Sequence, residues 1–170
     1  MKERRKISSA LPVILLLALL STKGIARPDT TSKTVSDLWV KSETEKTINI
    51  AAQKGKVVFI NFWALSCVPC KEEMLTINKL HERFKADTNV LIVPIDLDNT
   101  LAQSTKYMRE QGFGLIVYTA AGVVPKELFR GELPTTVVID KHGKIVFFKE
   151  GKGDYGSKEF ILNVDLMSEP

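Results

Sequence analysis

The chain has 170 residues, 44 % of them hydrophobic. That is enough for one domain with a single core and too many to depend on disulfide staples. The formal charge of +4 is local, because Lys2, Arg4, Arg5, Lys6 and Lys23 stand against Glu3 alone in residues 1–26 and the remainder is balanced; a domain without a basic excess excludes nucleic acid as a partner class.

In chain order, Met1–Lys6 is basic, Ile7–Leu20 is almost continuously apolar, and Gly24–Ile25–Ala26 offers small residues around a cleavage point. This is the order of a secretory signal peptide over 1–26. The apolar run is about 14 residues, shorter than the ~20 of a membrane span. An uncleaved anchor, with a membrane tether through residues 7–20, is the other reading. Both place the domain outside the cytoplasm, where disulfides persist.

Residues 27–45 read as a polar linker or N-terminal extension. Its apolar cluster, Leu38–Trp39–Val40, runs into an edge element. Weak alternation over Lys46–Ala52 predicts a strand and opens the domain, 46–170. Val57–Trp63 is β-branched and aromatic, the composition of a central strand covered on both sides. Met74, Ile77, Leu80 and Phe84 recur at helical spacing, predicting a helix over 68–86 with Pro69 in its first turn. Val90–Leu97 is a second buried strand. Asp98–Asn99–Thr100 then caps a helix over 101–111 that ends at Gly112. Leu115–Thr119 reads as a short strand and Pro125–Arg130 as a helical turn. Thr135–Asp140 and Lys144–Lys149 form a hairpin around Gly143. Ser157 starts a last helix holding Phe160, Ile161 and Val164. This order predicts an α/β fold, a central mixed sheet with helices on both faces.

The chain has two cysteines, Cys67 and Cys70, placed where a buried strand hands over to a helix. A helix N-terminus presents free N–H groups and partial positive charge, and both stabilise a thiolate, the attacking species. Cys70, one turn in, is placed to resolve a mixed disulfide on Cys67. Other readings compete. A structural disulfide closing so short a loop removes little unfolded-state entropy. Structural zinc needs four ligands, and the two histidines, His81 and His142, are far apart in sequence. Copper(I) suits thiolate with thioether or imidazole help, but Met74, the nearest methionine, falls on the apolar stripe of its helix.

Asn61–Phe62–Trp63–Ala64 followed by Cys67–Val68–Pro69–Cys70–Lys71–Glu72–Glu73, with Leu133–Pro134–Thr135 and the Asp140–Lys144 turn, resembles the thioredoxin superfamily. The nearest branch is the TlpA/ResA-like exported thiol–disulfide oxidoreductases, over roughly residues 46–165. The resemblance implies a thioredoxin-like fold with a helix–strand insertion within 98–131. It implies a redox-active Cys67–Cys70 disulfide and a cis-proline at Pro134 facing it. Trp63, packing beside the pair, and Leu133 and Pro134 are the implied substrate-binding residues. Asn61 stands where cytosolic thioredoxins carry a buried aspartate, and an amide cannot titrate. The resemblance instead points to Glu73, one turn beyond Cys70, as acid and base for that thiol with a raised pKa. The competing reading of Glu73 is a first-turn acid complementing the helix dipole. Ser66 departs from the pattern, which commonly has tryptophan there, and so removes an aromatic wall from the substrate face.

The implied activity is reduction of disulfides in exported proteins, for example apo-cytochrome c, with no cofactor or metal. Electrons would come from a membrane-embedded thiol reductase. Val68 and Pro69 bring no positive charge between the cysteines, which favours a reductant over a strong oxidant. Exchange in the oxidase direction and a copper(I)-binding metallochaperone are the alternatives.

Overall fold

The strand Val57–Trp63 (β3) is the spine of the molecule, and all seven of its residues are buried. Its alternation sends Val57, Phe59, Asn61 and Trp63 to one face of the sheet and Val58, Ile60 and Phe62 to the other. The structure, a computed structural model, describes residues 35–169; the expected signal or anchor segment, 1–26, lies outside them.

The other strands are Trp39–Ser42 (β1), Thr47–Asn49 (β2), Val90–Asp96 (β4), Tyr118–Ala120 (β5), Thr135–Ile139 (β6) and Ile145–Glu150 (β7). The helices are Val68–Phe84 (α1), Leu101–Glu110 (α2) and Lys158–Ser168 (α3). The strands form one mixed sheet in the order β2-β1-β5-β4-β3-β6-β7. β3 runs parallel to β4 and antiparallel to β6. The implied helix–strand insertion is α2 with β5, between α1 and β6 in the chain.

The two faces are covered unequally. On the face of Phe59 and Trp63, the α1 stripe Cys70, Met74, Ile77, Leu80 and Phe84 packs with Met108 of α2 and Val164 of α3. The opposite face is closed by Val35, Leu38 and Ile50 and by Leu128. Leu128 belongs to the turn at Pro125, whose carbonyl accepts the N–H groups of Leu128 and Phe129. The helical covering expected on that face is thus this one turn. Burial of these apolar side chains is the main stabilising term, roughly 1.5–3 kcal/mol for each large one.

Two boundaries differ from the expectation. Residues 39–42, read as the end of a linker running into an edge, form β1, which lies between β2 and β5 rather than at an edge. Leu38, Val40 and Ser42 turn inward there, and so short a segment has too few positions to display a period. The strand expected at Leu115–Thr119 starts at Tyr118 instead. Leu115 and Val117 are buried by packing into the α1 side of the core, without pairing to a strand.

An edge-to-face aromatic cluster fixes the chain between β7 and α3. Tyr155 stands 5.0 Å from Phe59 and 4.9 Å from Phe160, ring centre to ring centre. This loop forms one wall of the site.

Candidate active site

β3 delivers the chain to the start of α1, and the turn is closed by Cys67 N–H donating to the Ala64 carbonyl at 3.1 Å. Cys67 is the N-cap of α1, and its Sγ accepts the Cys70 N–H at 3.3 Å. Pro69, within the first turn, sacrifices no helical hydrogen bond. Cys67 and Cys70 are joined in a disulfide. The pair is asymmetric, with Cys67 half-buried and Cys70 fully buried. An incoming group can reach the first sulfur and not the second.

Glu73 lies on the same buried side of α1 as Cys70 and Met74. It is 0 % exposed and stands beyond the first turn of α1. Its Oε1 accepts Asn61 Nδ2–H at 2.7 Å, and its Oε2 accepts the Gly153 N–H at 2.5 Å. Asn61 Nδ2 also donates to Thr136 Oγ1 at 2.9 Å, across the β3–β6 pairing. Burial pushes the Glu73 carboxyl up to about 7. The Gly153 and Asn61 hydrogen bonds and the charges of Lys149 and Lys152 oppose that rise without cancelling it. The result is a buried carboxyl that changes protonation near neutrality, one helical turn from the inner cysteine. Among the described residues the buried Asn61 Oδ1 has no hydrogen-bond partner.

The 151–156 loop is fastened to α1 at three points. Lys152 Nζ donates to Glu72 Oε2 at 2.5 Å, Gly153 N–H to Glu73, and Tyr155 N–H to Thr76 Oγ1 at 3.1 Å. Gly153 is held to glycine by crowding, because a Cβ there would lie 2.6 Å from the Tyr155 ring and hydroxyl. Sequence reasoning missed Gly153 and Thr136; the Gly-Asp-Tyr-Gly run was the available signal, and it reads only as a turn.

The Leu133–Pro134 peptide bond is cis. The Pro134 carbonyl accepts the Gly151 N–H at 2.8 Å. Leu133 is half-buried and packs against both halves of the core. Trp63 lies behind the cysteine turn. It is 0 % exposed, with its ring 6.1 Å from Tyr107 and in the same core cluster as Cys70 and Met74. As the last residue of a central strand it supports the cysteine turn from beneath.

Asp96 ends β4 beside Trp63 and is fully buried. Its Oδ1 accepts the Asp98 N–H; its Oδ2 accepts the Thr100 N–H, Thr100 Oγ1–H and Ser104 Oγ–H, all within 3.0 Å. The 97–100 turn is built on this carboxylate, and Asp98 in turn accepts hydrogen bonds from Ser66, next to Cys67. Among the described residues no group of three or more His, Cys, Asp or Glu is placed to hold a metal. Met74 is buried in the core and His142 sits exposed in the hairpin turn.

The sequence pattern of the AhpC/TSA family matches residues 31–148. The chain belongs to the AhpC/TSA family. Within this AhpC/TSA setting it is 31 % identical to the thiol-disulfide oxidoreductase ResA of Oceanobacillus iheyensis over 141 residues, 82 % of this chain and 71 % of that protein. It is 35 % identical to ResA of Bacillus anthracis over 102 residues, 59 % of this chain and 58 % of that protein. The chain therefore spans less than two thirds of the latter's length. A thiol:disulfide interchange protein of the thioredoxin family from Chlorobium tepidum superposes with a TM-score of 0.63 at 22 % identity, covering 81 % of this chain and 97 % of that one. The fold is thioredoxin-like.

Proposed function

We propose that this chain is an extracytoplasmic thiol–disulfide oxidoreductase working in the reducing direction on exported polypeptides. The carrying observation is the asymmetric cysteine pair at the N-terminus of α1, its outer sulfur accepting a helix N–H and its inner sulfur buried one turn from a carboxyl with a pKa of about 7.

In the reduced protein the Cys67 thiolate attacks one sulfur of a substrate disulfide. A Cys67–substrate bond forms, the substrate S–S bond breaks, and the first substrate sulfur leaves as a thiolate that takes up a proton. Glu73, as carboxylate, accepts the proton of Cys70. The Cys70 thiolate attacks Cys67 Sγ, forming the Cys67–Cys70 disulfide and breaking the bond to substrate, and the second substrate sulfur leaves as a thiolate that takes up the proton held on Glu73. Two electrons pass from the protein dithiol to the substrate. Pro134 and Leu133 form the wall against which the substrate strand lies, and Trp63 holds the turn behind it. Another dithiol must re-reduce the pair. Because the signal or anchor reading of 1–26 supports a site outside the cytoplasm, a membrane-embedded thiol reductase is the fitting donor. An exported chain with a cysteine pair, such as apo-cytochrome c, is a fitting client.

The test is the equilibrium potential of the Cys67–Cys70 couple in dithiol buffers, read by thiol trapping. A value near or below roughly −250 mV, the thioredoxin range, supports the reducing direction. A value above roughly −150 mV, toward the strong oxidants, reverses it. In addition, Cys70→Ser is expected to accumulate mixed disulfides on Cys67, resolvable by non-reducing electrophoresis.

A further inference from the structure

Ser66 immediately precedes Cys67, and its backbone N–H and Oγ–H both donate to Asp98 Oδ2, at 3.2 and 3.0 Å. Both residues are exposed. Because both bonds fall on one oxygen, Oδ1 has no hydrogen-bond partner among the described residues. The turn that carries Asp98 is fixed. Leu97 N–H donates to the Trp63 carbonyl at 2.9 Å, extending the β3–β4 pairing. Asp98 N–H donates to the buried Asp96, and Asn99 takes a left-handed φ of 54° that turns the chain into α2. The acids of α1 near the cysteines are otherwise engaged, since Glu72 bonds Lys152 and Glu73 is buried. A carboxylate oxygen with hydrogen-bonding capacity unspent is thus held in place on Ser66, the residue that immediately precedes the reactive Cys67.

We propose that Asp98, latched to Ser66, is a specificity-determining residue, selecting polypeptide disulfides whose reactive cysteine is flanked by Lys or Arg. This rests on the reading of Cys67–Cys70 as a redox dithiol. A substrate sulfur bonded to Cys67 sets its own residue about 5.5 Å from Cys67, Cα to Cα, and that residue's sequence neighbours one further residue length, about 3.8 Å, away, so a long basic side chain flanking the reactive cysteine lies in the neighbourhood of the latch. Exposed charges interact over that range, with a screening length of about 8 Å at physiological salt. A basic neighbour gains an ion pair at Asp98 and an acidic neighbour meets repulsion.

The experiment uses the full chain, pre-reduced, and two homodisulfides of a short single-cysteine peptide, one with Lys and one with Glu on both sides of the cysteine. One protein dithiol plus one peptide disulfide gives one protein disulfide and two peptide thiols. The rate is read as loss of protein thiols after alkylation. Each rate is divided by that of dithiothreitol with the same peptide, so that the peptides' own reactivity cancels. The normalised Lys-to-Glu ratio is expected to be about threefold to tenfold at low salt, from the size of exposed ion pairs, and to fall toward one at about 1 M salt. Asp98→Asn keeps an acceptor for Ser66 and removes the charge, and is expected to lower the ratio at least twofold. A low-salt ratio of one, or a ratio that neither salt nor Asp98→Asn changes, overturns the assignment while the dithiol reading stands. If neither peptide oxidises the protein, the dithiol reading itself falls.

Discussion

At Glu73 a single side chain ties stability to pH and, under the proposed function, to the chemistry. Its carboxyl ordinarily titrates at 4.5 and in the fold at about 7. Between those values the folded state binds more protons than the unfolded one, so stability declines as pH rises. The protein is expected to be most stable below about pH 4.5 with respect to this group, losing about 3 kcal/mol by pH 7 and above, at 1.36 kcal/mol per unit. Denaturant midpoints across this range check it, and Glu73→Gln should remove that component. The same substitution should flatten the pH profile of disulfide reduction near neutrality; an unchanged profile would remove Glu73 from proton transfer. Gly153→Ala is expected to destabilise by about 2 kcal/mol, since overpacking costs 1–3, and to disturb the amide that donates to Glu73. The placement of Cys67 at the start of a helix, with Cys70 and Glu73 following on its buried side, was legible because the three sit within seven consecutive residues. Gly153 was not, because its bond to Glu73 spans 80 positions and no local pattern announces it.

The elements show where local rules reach their limit. The α1 boundaries follow from its apolar stripe and its Pro69, and α3 begins at Ser157, whose Oγ accepts the Phe160 N–H as expected of an N-cap. α2 differs. Thr100 is its N-cap position but makes no side-chain cap bond. The capping carboxylate is Asp96, which reads in the sequence as the end of an apolar strand. Asp96→Ala leaves the Thr100 N–H and the Ser104 hydroxyl without their buried acceptor. The expected cost is about 3 kcal/mol, with amide exchange accelerated over residues 98–104. Wild-type-like exchange there would show that the turn stands without its carboxylate.

For the whole molecule, the class of fold was readable from the alternation of strand and helix patterns, but the order of strands was not, because pairing joins segments distant in sequence. β1 is the clearest case: placed between β2 and β5, it brings Val35, Leu38 and Val40 into the core. A chain shortened to 46–170 would uncover that face. The loss of three such side chains is roughly 5 kcal/mol, comparable to the whole stability of a domain. Circular dichroism of the shortened chain is expected to show it largely unfolded. The sheet ends also bear on the proposed work. A protein that meets unfolded polypeptides risks having them zip onto any open strand, which would turn a catalyst into a seed for aggregation. β2 is only three residues long. At the other margin, the β6–β7 ladder shifts register between Val138 and Ile139, and Lys149 and Glu150 stand exposed on β7. Short strands, irregular register and charge are the usual guards against edge-to-edge pairing, and under the proposed function they leave the dithiol as the place where a client would be held, covalently and only until Cys70 lets it go.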